Sequence, residues 1–228
     1  MSTHPHILCI ETSSGITSVA LSAGENSVAQ KVEYTKNSAG SQLQNLIEGV
    51  LLQADIDFKE LDAIAVSGGP GSYTGLRIGV SVAKGMAYAL NIPLVLVETF
   101  QAMKKQLELK NKNQYDFYIP MIDARRIDAF TCILNQKGEF VLTPRCLTIE
   151  SHTFDEWLSE NQNVIVFGNE IDKFREIVEN KIRKFDGNVT LFAESMIPNA
   201  VDKFKKGRFE DVAYVEPKYY KSFYTAKI

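Results

Sequence analysis

Histidine and cysteine, which hold most protein-bound zinc, are scarce in this sequence of 228 residues, with three of each. The three cysteines have no Cys-x-x-Cys spacing, and Cys9 and Cys132 lie in apolar strand patterns, where a thiol packs as a small hydrophobic group. No two histidines are four positions apart on a helix, as zinc sites often require. The sequence therefore predicts no bound metal.

Long apolar runs are also absent. The run at residues 92–97 falls far short of the ~20 apolar residues that a membrane span needs, so we expect no segment to cross a membrane. No Lys or Arg precedes the apolar residues 7–10, which argues against a secretory signal and favours a cytoplasmic protein. The formal net charge of −3 is too small to indicate a general binder of nucleic acid or anionic membranes.

The first half of the chain alternates between strand and helix patterns. Residues 6–11 and 18–22 are apolar on either side of a polar turn and predict a hairpin, extended by a strand at 27–34. A helical period follows, from the N-cap Ser38 to about Asp55. A strand at 63–67, a helix to about Leu90, a strand at 94–98 and a helix at 99–110 complete a mixed α/β domain.

A polar segment at 104–114 divides the chain. We place a boundary near Asn111, which gives domains at 1–110 and 111–228. In the second domain, the pattern predicts strands at 117–122, 129–134, 139–149 and 164–168, and helices at 153–159, 170–181 and 198–206.

The tail at 203–228 is basic and rich in aromatic residues. It holds seven Lys or Arg against three acids. Such a mixture suits contact with RNA through phosphates and base stacking. The alternative, which we favour, is a terminal strand whose aromatic side chains pack inward; these side chains are Tyr214, Tyr219, Tyr220, Phe223 and Tyr224.

A glycine-rich turn, SGGPGSYTGLRIG from position 67, is the strongest local pattern. A strand, a Gly/Pro turn and a helix N-terminus in this order favour anion binding, which predicts a phosphate site at Gly69, Gly71 and Ser72. The turn is not a P-loop, because no Lys follows Gly75. It comes closer to a dinucleotide fingerprint, with Glu98 as the acceptor for a ribose hydroxyl. The alternative is that the glycines only permit a tight turn and close helix approach.

A second candidate phosphate site lies between the first two strands. There Glu11, Thr12, Ser13 and Ser14 form an acidic turn rich in hydroxyl groups. An ordinary Ser/Thr turn is the alternative.

Four segments occur in a characteristic order and spacing. They are ILCIETSS from position 7, SVAL from 18, SGGPGSYTGLRIGVSVAKGMA from 67 and DARR from 123, with weaker support from EPKYYK at 216. Together they resemble the TsaB family, also called YeaZ. The resemblance implies an actin-like, Hsp70-like ATPase fold of two related α/β domains with mixed β-sheets. It also implies a part in transferring threonylcarbamoyl to N6 of the adenosine 3′ of the anticodon in tRNAs that read codons starting with A.

The resemblance also implies a role within the complex. The catalytic paralogue, TsaD, carries a metal-binding His-x-x-x-His on its first long helix, whereas residues 37–49 here contain no histidine. A non-catalytic subunit that binds and stabilises TsaD is therefore implied, with the ATPase TsaE as a further partner, tRNA contacted indirectly and a homodimer left open. No cofactor is expected, with ATP or ADP at the two turns as the remaining candidate. The implied interface lies on the first two helices, at Leu43, Leu46, Ile47, Val50, Gly75, Gly79, Val82, Ala83 and Met86.

Two other functions compete with this one. The turn from Gly69 to Gly75 suggests a dinucleotide-binding oxidoreductase, which predicts NAD binding that is lost in Glu98→Ala. An M22-like glycoprotease would need a water-activating metal site or a Ser-His-Asp set, and the few histidines argue against both.

Overall fold

Two five-stranded sheets form the framework of the protein. The structure, a computed structural model, describes residues 4–159, 161–178, 182 and 184–221. The first sheet combines an antiparallel meander with two strands that run parallel to its first strand, in the order β3-β2-β1-β4-β5. Its strands are β1 (His6–Glu11), β2 (Thr17–Ala23), β3 (Asn26–Glu33), β4 (Ala63–Ser67) and β5 (Leu94–Val97).

The second sheet repeats this topology. Its order is β8-β7-β6-β9-β10, in which β6, β7 and β8 form the meander and β9 and β10 run parallel to β6. The expected class, two related α/β domains with mixed sheets, is confirmed. These strands are β6 (Phe117–Asp123), β7 (Asp128–Asn135), β8 (Phe140–Thr148), β9 (Val164–Gly168) and β10 (Lys184–Asp186).

The central strand β1 is buried on both faces. Leu8 and Ile10 belong to a core shared with α1 (Ala39–Ala54) and α2 (Tyr73–Leu90). Ile7 and Cys9 belong to a second core, shared with α3 (Thr99–Lys110) and α5 (Ile197–Lys205). A strand covered on both faces reads as a continuous apolar run, which explains the sequence of β1.

The last long helix of each domain packs against elements of the other. Helix α3 contacts β6 and β7, whereas α5 contacts β1 and β5. The chain passes from one sheet to the other between the end of α3 at Lys110 and the start of β6 at Phe117, beside the predicted boundary. A division between residues 110 and 111 therefore assigns each sheet to one domain. It does not give two independently packed domains, because α5 from the second half of the chain packs on the first sheet.

Two predicted helices and one predicted cap differ from the structure. Residues 153–159 form turns, because several N–H groups in this segment donate to the carbonyl three residues back. The predicted helix at 170–181 is reduced to a 3₁₀ turn at Asp172–Phe174 and α4 (Arg175–Val178), and residues 179–181 lie outside the described residues. Ser38 precedes α1 in a right-handed helical conformation, and its hydroxyl makes no capping hydrogen bond.

The tail forms no regular strand between residues 206 and 221. Its only β-type contact there is an isolated bridge between Glu210 and Leu94. Tyr214 is 81% exposed and Tyr219 is 43% exposed, so the prediction that these rings pack inward is wrong. Phe223 and Tyr224 lie outside the described residues. No helix in the described part of the chain is long and apolar enough to cross a membrane.

Candidate functional site

The first predicted phosphate turn is organised by a buried carboxylate. Oε1 of Glu11 accepts hydrogen bonds from the Ser13 N–H at 2.5 Å, the Ser13 hydroxyl at 2.6 Å and the Ser14 N–H at 3.0 Å. The side chain of Glu11 is fully buried. The carboxylate therefore stabilises its own turn and presents no oxygen to a ligand at the surface.

Burial also sets the charge of this carboxyl group. Desolvation raises the pKa of Glu11 from its usual 4.5 to about 7, whereas the hydrogen bonds from Ser13 and Ser14 and the nearby Ser67 hydroxyl act in the opposite direction. Glu11 therefore exchanges its proton near neutral pH, about 2.5 pH units above an exposed glutamate.

The glycine-rich turn and the start of α2 lie directly on the first turn. A Cβ atom at Gly71 would lie 2.5 Å from the Ser13 carbonyl oxygen, and one at Gly75 would lie 2.0 Å from the Thr12 carbonyl oxygen. At Gly79 it would lie 2.3 Å from the Thr12 hydroxyl oxygen. These glycines therefore permit the close approach of α2 to residues 12 and 13, the packing role that the sequence left as an alternative.

Backbone donors of the glycine-rich turn are largely used within the protein. The Gly69 N–H donates to the Thr99 hydroxyl at 3.1 Å, and the Ser72 N–H donates to the Ser13 carbonyl at 2.8 Å. The Ser72 hydroxyl accepts from the Gly75 N–H at 3.2 Å and so caps α2. Phosphate binding at this turn stays a prediction.

The proposed ribose acceptor is occupied by the tail. The carboxylate of Glu98, whose side chain is 15% exposed, forms an ion pair with the ammonium group of Lys218. The Lys218 N–H also donates to the Gly68 carbonyl at 2.8 Å, so the tail lies across the glycine-rich turn. A dinucleotide would have to displace both contacts to reach Glu98.

A cleft of about 920 Å³ opens where the two domains meet the tail. Three segments of the chain supply most of its lining: the glycine-rich turn with the start of α2, the β6–β7 hairpin, and the tail. Its lining residues are Asn37, Pro70, Gly71, Ser72, Tyr73, Thr74, Ile122, Asp123, Ala124, Arg125, Arg126, Asp128, Phe130, Lys218, Tyr219, Tyr220 and Lys221.

Two cationic residues occupy the β6–β7 turn in left-handed backbone conformations. Arg125 has a φ angle of 75° and Arg126 one of 54°, and both residues are exposed. The flanking acids already have partners, since Asp123 pairs with Lys173 at 2.5 Å and Asp128 pairs with Lys221 at 2.8 Å. Neither arginine forms an ion pair with any described residue. This edge of the cleft is therefore positively charged.

Aromatic rings also line the cleft. The rings of Tyr73 and Tyr219 lie 4.9 Å apart between centroids, and the guanidinium carbon of Arg77 lies 4.1 Å from the centre of the Tyr73 ring. The Arg77 Nε–H donates to the Tyr219 hydroxyl at 3.2 Å. Tyr220 also lines the cleft, and burial raises the pKa of its hydroxyl. The cleft thus combines cationic groups with ring faces.

The predicted partner interface is mostly internal. Leu43, Ile47, Val50, Gly75, Gly79 and Ala83 are buried in the first domain, where α1 and α2 pack on the sheet and on residues 12 and 13. The helical period marked the face of each helix that meets its own sheet, so these six residues are not available to a partner. Leu46, Val82 and Met86 are half-buried at the edge of the same core and remain partly accessible.

The histidines do not converge on a metal site in the structure. Within the described ranges, no three His, Cys, Asp or Glu side chains lie close enough together to hold a metal ion.

The sequence model of a known protein family matches most of this chain. The family model for TsaD, tRNA N6-adenosine threonylcarbamoyltransferase, matches residues 33–215. The chain belongs to this family. Within the family it groups with TsaB. It is 27% identical to the tRNA threonylcarbamoyladenosine biosynthesis protein TsaB of Bacillus subtilis over 76% of this chain and 75% of that one. It is 26% identical to the TsaB protein of Escherichia coli over 93% of each chain.

Solved structures agree with the TsaB assignment at the level of the fold. The crystal structure of YeaZ from Pseudomonas aeruginosa superposes with a TM-score of 0.79 at 22% identity and covers 94% of this chain and 99% of its own. The activator of 2-hydroxyisocaproyl-CoA dehydratase from Clostridium difficile, crystallised with ADPNP, shares the fold with a TM-score of 0.51 at 9% identity, over 89% of this chain and 97% of its own. The actin-like ATPase fold implied for this TsaB-type chain is confirmed.

Sequence reasoning missed the cleft of this TsaB-type chain. The motif DARR was noted only as part of a resemblance, and Tyr219 only as part of a basic tail. The available pattern was the turn itself, in which a strand that ends in Asp123 is followed by one alanine and two arginines. That pattern does not reveal that the tail and the start of α2 face it across one cleft.

Proposed function

We propose that the chain is a non-catalytic subunit in threonylcarbamoyladenosine biosynthesis that binds and stabilises a TsaD-type catalytic paralogue. The observation that supports this most is the match to TsaB proteins named for that pathway, which extends over 93% of both chains in one case. The product of the pathway carries threonylcarbamoyl on N6 of the adenosine 3′ of the anticodon.

The proposal that the chain is non-catalytic rests on its first long helix. Residues 37–49, at the position of the TsaD His-x-x-x-His, read NSAGSQLQNLIEG and contain no metal-ligating imidazole. The carboxylate of the first turn, that of Glu11, is fully buried and accepts hydrogen bonds from residues of the same turn. The first long helix therefore lacks the imidazoles that would position a metal and a transferred group.

The surface proposed for the partner is the outer side of α1 and α2. It keeps the residues of the predicted interface that remain accessible and adds neighbouring accessible residues of α2. At Gly85 an added Cβ would meet no atom within 4 Å, so the backbone of α2 is open to close approach there. We call this surface the α1–α2 face and define it by Leu46, Ile78, Val82, Gly85 and Met86.

The test is co-purification with the TsaD-type protein of the same cell, followed by size exclusion with light scattering. Gly85→Arg adds a long charged side chain to the α1–α2 face without an internal clash, and it should weaken the complex on the order of 10- to 100-fold. Leu109→Arg is the matched control, since Leu109 is 64% exposed on α3, away from this face. A wild-type chain that neither binds the paralogue nor raises its transferase activity would refute the proposal.

The remaining partners extend the same proposal. A TsaE-type ATPase joins the pair as a third component, and two copies of this chain pair through the α1–α2 face when the paralogue is absent. Light scattering of the isolated chain measures this directly, because Gly85→Arg should shift a dimer to a monomer. A dimer that survives this substitution would place its interface elsewhere.

A further inference from the structure

Cationic side chains outnumber acidic ones in the lining of the cleft, where Arg125, Arg126, Lys218 and Lys221 accompany only Asp123 and Asp128. Its acids, Asp123 and Asp128, are paired with Lys173 and Lys221. Arg125 and Arg126 remain, both exposed on a turn that holds them at the cleft edge. Exposed guanidinium groups at a cleft favour a phosphate-bearing ligand, since each can donate two parallel hydrogen bonds to phosphate oxygens.

We propose that this cleft binds a single-stranded segment of RNA, with Arg125 and Arg126 on its phosphates and the Tyr73–Tyr219 pair beneath a base. The choice of RNA rests on the proposed function. The proposal goes beyond it, because the proposed function places tRNA contact on the complex and gives this chain no RNA site of its own.

The ring edge of the cleft supplies the second half of the argument. Tyr219 is 43% exposed and is held by the Tyr73 ring at 4.9 Å and by the Arg77 Nε–H at 3.2 Å. An exposed ring fixed from behind by a second ring and a guanidinium group is a platform on which a base can stack. Stacking on aromatic side chains together with a positive groove is how proteins bind unpaired strands.

The same geometry argues against a free nucleoside triphosphate. ATPases cradle the phosphate chain with backbone N–H groups of a glycine-rich turn. Here the N–H groups of Gly69 and Ser72 donate to Thr99 and Ser13, and the turn carries Pro70, which has no N–H. Arg125 and Arg126 line the cleft and are exposed, so the phosphates of a longer strand can reach them.

Fluorescence anisotropy of the full-length chain with a labelled single-stranded RNA oligonucleotide, and with unmodified tRNA transcript, tests the proposal. Arg125→Gln/Arg126→Gln should weaken RNA binding on the order of tenfold. It should also reduce the magnitude of the slope of log K against log salt by about 1.4, since each single-strand phosphate contact contributes about 0.7. Arg145→Gln/Arg208→Gln removes the same charge outside the cleft and should leave binding near the wild-type value. Tyr219→Ala should weaken binding, whereas Tyr219→Phe, which keeps the ring, should not.

Three outcomes would overturn the proposal: no RNA binding by the wild type, equal losses in the cleft and control double variants, or displacement of RNA by an equal concentration of ATP. Displacement by ATP would identify a mononucleotide site instead. Co-elution of each variant with the TsaD-type paralogue is measured in parallel. Loss of RNA binding with intact co-elution supports the cleft as the RNA site. Failure of the wild type to co-elute with the paralogue refutes the proposed function, while the anisotropy data still test whether the cleft binds RNA.

Discussion

The buried carboxyl of Glu11 makes the stability of the first domain depend on pH. Its pKa is raised from 4.5 to about 7 by desolvation, so the folded state binds its proton more tightly than the unfolded chain does. Between pH 4.5 and 7 the unfolded chain has released this proton while the folded chain retains it. The contribution of Glu11 to the free energy of unfolding is therefore largest below pH 4.5 and is lost as the pH rises to about 7.

The size of this loss follows from the interval between the two pKa values. At about 1.36 kcal/mol per pH unit, it amounts to about 3 kcal/mol. Glu11→Gln removes the titration, while the amide oxygen can still accept the hydrogen bonds of Ser13 and Ser14. The free energy of unfolding of Glu11→Gln, minus that of the wild type, should therefore rise by about 3 kcal/mol from pH 4.5 to above 7.

Urea unfolding followed by circular dichroism across this pH range measures the difference. Glu33→Gln serves as a control of opposite sign, because hydrogen bonds from Thr35 lower the pKa of Glu33. The free energy of unfolding of Glu33→Gln, minus that of the wild type, should fall as the pH rises through the acidic range, since a carboxyl group with a lowered pKa stabilises the fold only when it is ionised. A Glu11→Gln difference that stays flat, or that falls with rising pH, would refute the argument from burial.

Two further predictions concern packing and thiol chemistry. Gly79→Ala should destabilise the fold by about 1–3 kcal/mol, because its methyl group would meet the Thr12 hydroxyl at 2.3 Å, whereas Gly85→Ala should stabilise it by up to ~1 kcal/mol. Similar unfolding midpoints for the two variants would contradict this account of α2. Burial raises the pKa of all three thiols, that of Cys9 to about 12, but only Cys146 is partly accessible, so in the folded protein a disulfide reagent should react with Cys146 alone. Reaction of all three thiols without denaturant would show that the core opens.

The long elements of the fold were predictable because their patterns are local. The apolar run at 63–67 arises because both faces of β4 are buried, whereas the helical period at 39–54 arises because one face of α1 packs on the sheet; both elements match the structure. The short helical segments of the second domain were not predictable in this way, since α4 spans only four residues and residues 153–159 form turns instead of a helix. Strand β10, with three residues, was not predicted either, because so short a strand has no pattern of its own.

Six of the nine residues predicted for the interface are buried, for a reason that applies to any amphipathic helix. Leu43 and Ile47 follow a helical period because they face their own sheet, and the same period would mark a face that meets a partner. Only the position of the sheet shows which face is free. The ion pair of Glu98 with Lys218 could not be read from the sequence either, since the two residues are 120 positions apart.

By itself, the sequence determined the order of strands and helices in the first domain, the resemblance to the TsaB family and the lack of histidine on the first long helix. These properties depend on residues that are neighbours along the chain. The tertiary structure decided which glycines lie on the first turn, why the carboxyl group of Glu11 is buried, and that Tyr73, Arg125 and Tyr219 line one cleft. These residues come together only because the glycine-rich turn of the first domain and the β6–β7 turn of the second line the same cleft with the tail, and no pattern along the chain encodes that meeting.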